Sequence, residues 1–324
     1  MAYSARAARH AECDAHWQRL CGHLTAALDR AVPPGRPVAY LDYPVHRNLG
    51  DLLIYLGTCA WLDTSRRTVA GCWNKDNFPG LPLAKDTVVL LHGGGNFGDI
   101  YPAHQRFRES VVAAYPGHRV VILPQSIQFQ DAASQAASAA VLNGHGDLHL
   151  LVRDRTSLAV ARSAFIGTTS TLVPDMASFL YPIPEEGDAA PGGDLYLLRR
   201  DREAAAEAAQ PAGAAVVDWI DLLGPLAWRL RLLQLANLTL VRRRPVAFER
   251  VWRRQSAAAV ARAAAAFRGA DRVVTSRLHG HILACLLGVP HVLRDNSYGK
   301  NSRYFHAWSS DLSFARMEEG DAAG

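Results

Sequence analysis

A recurring handover constrains this chain more than any other feature: a short apolar run ends in a polar or glycine-rich cluster, and a helical stretch follows. It occurs at Val38–Leu41, Thr87–Leu91, Val120–Leu123, Leu148–Val152 and Leu172-Val173, and again at Asp194–Leu198, Ala215–Val217, Arg272–Thr275 and Val292-Leu293. Strands alternating with helices build parallel sheets joined by helical crossovers, so an α/β class is expected. For a chain of 324 residues, two domains of about 150 residues each are the expectation. The Pro-, Gly- and acid-rich stretch between Tyr181 and Gly193 reads as the linker. The boundaries follow as residues 1–185 and 186–324. The first unit is preceded by an amphipathic helix over Met1–Arg30, with Trp17, Leu20, Cys21, Leu24 and Leu28 on one stripe.

The polar clusters should lie along one edge of each sheet, where open α/β folds bind ligands. Asn48 and Asp51 sit where they can cap a helix over Leu52–Leu62, and Gly50 suits a tight turn or close approach of a ligand. His92-Gly93-Gly94-Gly95-Asn96 puts three consecutive glycines after a strand. Gly93, Gly95 and Gly98 match a dinucleotide spacing, but the next strand ends in Pro124-Gln125-Ser126 and supplies no acid. His92-Gly93-Gly94-Gly95 also matches a hydrolase oxyanion loop, yet the chain holds no G-x-S-x-G nucleophile turn. Arg153 either binds an anion or pairs with Asp154 or Asp175. Most informative is Ser276-Arg277-Leu278-His279-Gly280, between a strand at Arg272–Thr275 and a helix at Leu278–Leu287 closed by Gly288. Such a turn offers first-turn N–H groups and a helix dipole to an anion. Arg277 adds a fork of donors, and His279 adds a proton carrier near neutral pH.

Charge and cysteine usage exclude several classes. The net charge is +5, yet Pro225–Arg254 alone carries eight arginines against one glutamate, so the remainder is slightly acidic. No nucleic-acid module or regular run of aromatics surrounds that patch, so a nucleic-acid partner is not expected. Leu230, Leu232, Leu233, Leu235, Leu238 and Leu240 mix with those arginines. The segment is either a packing helix with snorkelling arginines or a peripheral contact with an anionic membrane. The apolar runs are too short to span a bilayer, and the N-terminal stretch lacks a signal peptide's apolar core. Cys13, Cys21, Cys59, Cys72 and Cys285 fall at no metal or redox spacing, which suits free thiols in the cytoplasm. With no D-x-D pair or His/Cys cluster in the sequence, neither a metal nor another cofactor is expected.

Taken in order, Asn48-Leu49-Gly50-Asp51, His92-Gly93-Gly94-Gly95-Asn96, Leu123-Pro124-Gln125-Ser126, Arg153-Asp154, Pro174-Asp175 and Ser276-Arg277-Leu278-His279-Gly280 resemble the polysaccharide pyruvyl transferase family. The resemblance covers Val38 to Trp308. It implies two Rossmann-like domains facing a cleft, as in GT-B glycosyltransferases, with the acceptor on the first and phosphoenolpyruvate on the second. It further implies transfer from phosphoenolpyruvate to a sugar of an exopolysaccharide or its lipid-linked precursor, forming a pyruvate ketal. On that footing His279, Arg277 and His92 are the catalytic candidates, with His279 as acid and His92 as base for the acceptor. Arg153, Ser276, Asn48, Asp51, Gly93, Gly94, Gly95, Asn96, Gln125, Ser126 and Gly280 are the binding candidates. The rival readings are a GT-B glycosyltransferase using a nucleotide sugar and an inactive carbohydrate-binding relative.

Overall fold

In the computed structural model, residues 2–184, 192–201, 203, 216–239 and 245–318 are described. A long helix α1 (Ala2–Ala31) precedes the first sheet, whose elements are β1 (Val38–Leu41), α2 (Leu49–Thr64), β2 (Val69–Trp73), β3 (Val88–Leu91) and β4 (Gly94–Gly98). They continue through α3 (Pro102–Ala114), β5 (Val120–Gln128), α4 (Ala132–Asn143), β6 (Leu148–Val152), α5 (Arg155–Ala164) and β7 (Thr169–Leu172). The strand order is β2-β1-β3-β5-β6-β7, all parallel, with β4 pairing β5 beyond the end of β3. Alternate residues of β1, β3, β5 and β6 enter different cores. Leu41, Val89, Leu91, Ile122 and Leu150 pack with Val111, Val112 and Leu142, whereas Tyr40, Val88, Leu90, Val121 and Leu151 pack with α1 and α2. Burial on both faces is why these strands are unbroken apolar runs.

The second sheet has the order β12-β11-β10-β8-β9, again parallel throughout. Its strands are β8 (Asp194–Leu197), β9 (Val216–Val217), β10 (Arg272–Thr275), β11 (His291–Leu293) and β12 (Ala315–Met317). Its helices are α6 (Trp219–Leu223), α7 (Leu226–Thr239), α8 (Pro245–Gly269), α9 (Leu278–Leu287) and α10 (Lys300–Trp308). The α1–α2 core runs on into Leu197, Val273, Ile282, Leu283 and Leu293, so the two lobes share hydrocarbon. Both terminal helices bridge them. Trp17 of α1 donates its indole N–H to the Cys285 carbonyl, while His23 contacts the Leu172 carbonyl. Trp308 of α10 donates back to the Arg153 carbonyl.

The two-sheet α/β architecture matches the expectation, and β1, β6, β10 and α9 have the expected limits. β7 spans Thr169–Leu172, upstream of the Leu172-Val173 expected, and three strands have no expected counterpart. β2 was not foreseen, because Val69–Trp73 is an edge strand with little apolar content facing inward. β4 is made of what read as a glycine loop. β12 lies close to the C-terminus, and pairs with β11 through Ala315–His291 and Met317–Leu293. β5 also runs past Pro124, which sits at a register shift between Ile122 and Gln125 where a ladder donor is dispensable. Much of the linker (185–191) and residues 240–244 of the arginine-rich segment lie outside the described residues.

A 3₁₀ turn at Met176–Leu180 lies so close to α2 that a Cβ at Gly57 would stand 2.1 Å from the Met176 carbonyl oxygen. Gly57→Ala should therefore cost about 1–3 kcal/mol in urea unfolding. Gly22→Ala, on α1 with nothing within 4 Å, should instead stabilise by about 0.5–1 kcal/mol.

Candidate active site

The C-terminal edges of both sheets open onto one cleft of about 280 Å³. Two helices begin at it. Asn48 caps α2 by accepting the Gly50 N–H (3.0 Å), and its Nδ2 donates to Asp51 Oδ2 (2.9 Å). Asn48 and Asp51 both line the cleft. Arg277 caps α9, with its own N–H donated to Thr275 Oγ1 and its carbonyl accepting from Gly280 and His281. His279 lies in the first turn of α9 against the first turn of α2: a Cβ at Gly50 would stand 2.7 Å from His279 Nδ1. Gly50 thus makes room for the imidazole.

Four cations line the cleft, and each is anchored by a carboxylate. Arg277 donates through Nε to Asp218 Oδ1 (2.5 Å) and through Nη2 to Asp218 Oδ2 (2.6 Å), with Asp201 at 3.2 Å. These contacts hold the fork in place, and Nη1 is the nitrogen left without a partner among the described residues. Arg153 donates through Nη1 to Asp175 Oδ2 (2.5 Å) and through Nε to Ser126 Oγ (3.0 Å). Lys300 and Arg199 share the Glu203 carboxylate at 2.6 and 2.9 Å. Glu203 also accepts from the hydroxyls of Tyr101 (2.6 Å) and Tyr298 (2.8 Å). Gly95 keeps two of the cations adjacent, since a Cβ there would lie 3.2 Å from Arg153 Nη2 and 3.4 Å from Lys300 Nζ.

Burial sets the electrostatics. It pushes the Lys300 ammonium down to about 8, with Glu203 opposing the shift and Arg199 and Arg153 adding to it. Burial alone would raise the Asp175 carboxyl, but His279 and Arg153 overcome it and hold the group well below the ordinary range. The same contest at Glu203 is won by Lys300 and Arg199. His279 Nε2 stands 3.4 Å from Asp175 Oδ2 and makes no shorter bond among the described residues.

Of the residues singled out from sequence, Asn48, Asp51, Gly95, Asn96, Arg153, Arg277 and His279 line the cleft. The others stand behind it. Ser276 Oγ accepts the Arg199 N–H (2.8 Å), and Ser126 Oγ steadies Arg153. Gly280 lets α9 sit on its own sheet, where a Cβ would meet Thr275 Oγ1 at 2.4 Å. Gly93 and Gly94 let β4 lie beside β5: a Cβ on Gly93 would come within 2.8 Å of the Pro124 carbonyl, and Gly94 has φ +124°. Gln125 Nε2 donates to the His92 carbonyl (2.8 Å). His92 does not serve as expected. It is 2% exposed, its Nδ1 is taken by the Tyr40 hydroxyl (2.6 Å), and burial lowers it to about 4 despite Asp51 and Asp42.

Sequence reasoning missed His46, Tyr101, His104, Arg199, Glu203 and Lys300, all on the lining. Arg199 follows the C-terminal end of β8, the signal used elsewhere. Glu203 and Tyr101 reach the cleft from irregular segments and carry no such mark. The reading that no His/Cys cluster exists also needs correction, because folding brings His281, Cys285 and His291 together in the core. They are already satisfied without an ion. His291 donates from Nδ1 to the Val289 carbonyl (2.8 Å), His281 Nδ1 meets His291 Nε2 (2.7 Å), and Ser309 Oγ meets His281 Nε2 (2.9 Å). Cys285 Sγ lies 3.8 and 3.7 Å from the two ring nitrogens of His281 and 3.7 Å from His291 Nε2. All five cysteines are free thiols, as expected.

A family model described as polysaccharide pyruvyl transferase matches residues 47–298. The chain is 38% identical over 300 residues to "Putative pyruvyl transferase EpsO" of Bacillus subtilis (strain 168), covering 91% of this chain and 92% of that protein. It is 30% identical over 302 residues to "Pyruvyl transferase 1" of Schizosaccharomyces pombe, covering 84% and 70% of the two chains. Among solved structures, a functionally uncharacterised protein of Klebsiella pneumoniae superposes with a TM-score of 0.61 at 17% identity, covering 91% of this chain and 96% of that one. That likeness concerns the fold.

The anchoring scheme has a consequence for stability. Asp175→Ala strands the buried Arg153 and should cost about 3–5 kcal/mol in chemical unfolding. Asp201→Ala, at a carboxylate 41% exposed, should cost no more than about 1 kcal/mol.

Proposed function

The chain belongs to the polysaccharide pyruvyl transferase family, and from that membership we propose that it moves the enolpyruvyl group of phosphoenolpyruvate onto two hydroxyls of one sugar, closing a pyruvate ketal. The observation that carries this reading is the grouping of Arg153, Arg199, Arg277, Lys300 and His279 on one small cleft between two helix N-termini. Phosphoenolpyruvate is compact and carries both a carboxylate and a phosphate, so it needs several cations within a few ångströms. Arg277, with Nη1 and the first turn of α9, takes one anionic group. Arg153 and Lys300, side by side over Gly95, take the other. Their carboxylate partners hold them in place before the ligand arrives, so little reorganisation is needed as charge develops.

His279 is the acid in this scheme. It delivers a proton to the terminal methylene as the first sugar oxygen bonds to the adjacent carbon. Asp175 stands behind it, 3.4 Å from Nε2, and orients the ring. The second hydroxyl of the same sugar then displaces phosphate, and the cations stabilise the departing group. One hydroxyl proton ends up replacing that spent by His279, and the other leaves on hydrogen phosphate. A positioned acid is worth about 10²–10⁴-fold. His279→Ala and Arg277→Ala should each lower phosphate release from phosphoenolpyruvate by at least ~10²-fold while circular dichroism stays unchanged. Full turnover in both variants, or release of a nucleotide from a nucleotide sugar instead, would overturn the assignment.

A second observation bears on the acceptor. α7 packs through Leu230 and Asn237, yet leaves Trp228 71%, Leu232 59% and Leu238 62% exposed beside Arg229 and Arg231. We propose that this face rests on an anionic membrane at the cytoplasmic side and brings the cleft to a lipid-linked acceptor. No described helix is long and apolar enough to cross a membrane; the contact proposed is a peripheral one. Co-sedimentation with vesicles containing phosphatidylglycerol should fall at least ~10-fold when Trp228 and Leu232 are changed to serine, in line with the loss of two buried apolar anchors. Binding that is indifferent to anionic lipid would contradict it.

A further inference from the structure

Ketal formation needs a base as well as an acid, and His92, the residue expected to fill that role, is walled off in the core. We propose that His104, oriented by Asp42, is the catalytic base that takes the proton from the attacking sugar hydroxyl. The inference rests on the pyruvyl-transfer reading and adds to it the acceptor side of the chemistry.

Asp42 follows the last residue of β1 and has φ +64°, in the left-handed region. For a residue other than glycine this conformation costs about 1–2 kcal/mol, and strain of this kind collects at working sites. Its effect is to turn a carboxylate that is 3% exposed toward the first turn of α3. There both oxygens lie within reach of His104 Nδ1, at 3.2 and 3.0 Å. A carboxylate can only accept, so Nδ1 carries the hydrogen and Nε2 of the neutral ring holds a lone pair. Nε2 has no partner among the described residues, and His104 lines the cleft.

The other histidine on that wall cannot do the same. His46 Nδ1 accepts the Asn48 N–H at 3.4 Å, so its hydrogen sits on Nε2 and faces Asp51 Oδ2 at 3.5 Å. No lone pair is left over. His104 therefore faces the cleft from the first lobe as base while His279 faces it from the second as acid. In the step, Nε2 of His104 takes the hydroxyl proton as the oxygen bonds to the phosphate-bearing carbon. The π electrons of the enol take a proton from His279 at the terminal carbon.

The test uses the full chain, phosphoenolpyruvate and a panel of p-nitrophenyl hexosides. Phosphate release is followed with the panel member that the wild type turns over fastest. His104→Ala should lower kcat by about 10²–10⁴-fold, leave the phosphoenolpyruvate Kd from calorimetry within threefold, and recover activity with added imidazole. Asp42→Asn should lower kcat without changing that Kd. A His104→Ala enzyme within threefold of wild type would overturn the proposal while leaving pyruvyl transfer intact. If the wild type neither binds phosphoenolpyruvate nor turns over any hexoside, the functional reading itself fails. Independently of turnover, ¹⁵N shifts assigned by loss of the signal in His104→Ala should show an Nδ1–H, Nε2-unprotonated ring. An Nε2–H tautomer would overturn the dyad.

Discussion

One buried carboxylate organises the centre of this molecule. Asp175 receives Arg153 at 2.5 Å from its own lobe and faces His279 at 3.4 Å from the other. Its backbone N–H also reaches the Tyr304 hydroxyl of α10 at 3.4 Å. A charge this deep is tolerable only because cations surround it, and those cations are tolerable only because of it. Each of the cleft's four cations is held in this way by a carboxylate.

The same logic recurs in the second lobe, where Asp218 grips Arg277 and Glu203 holds both Lys300 and Arg199. Around this charged centre the lobes are fastened by hydrocarbon. α2 packs on α8 and α9, and α1 and α10 cross from one lobe to the other. Close backbone approach at Gly50 and Gly57 sets how near α2 comes to His279 and to the turn after Asp175. Such tight contact limits how far the two sides of the cleft can shift against each other.

The frame was readable in the sequence because burial on both sheet faces leaves an unambiguous mark: Val38–Leu41, Leu148–Val152 and Arg272–Thr275 are strands as expected. The Ser276–Gly280 turn was readable too, since strand, polar cluster and apolar helix lie in one stretch. What could not be read was which polar residues face ligand and which face backbone. Gly93, Gly94 and Gly280 looked like a ligand cradle, but Gly93 relieves a clash between strands, Gly280 one between helix and sheet, and Gly94 takes a positive φ. His92 and His104 are alike as letters. One is sealed beneath Tyr40, and the other is presented by a strained aspartate sixty-two residues away in sequence. β12 escaped notice because a three-residue edge strand carries almost no periodic signal.

Pyruvyl transfer by this arrangement requires a small enol ester, bearing a carboxylate and a phosphate, held between the lobes with its methylene toward His279. A crystal structure of the chain soaked with a non-reacting phosphoenolpyruvate analogue tests this most directly. Its carboxylate and phosphate should lie on Arg277, Arg153 and Lys300, with the carbon that accepts the proton about 3–3.5 Å from the His279 ring. An analogue seated elsewhere, or one whose methylene carbon faces away from His279, would contradict it.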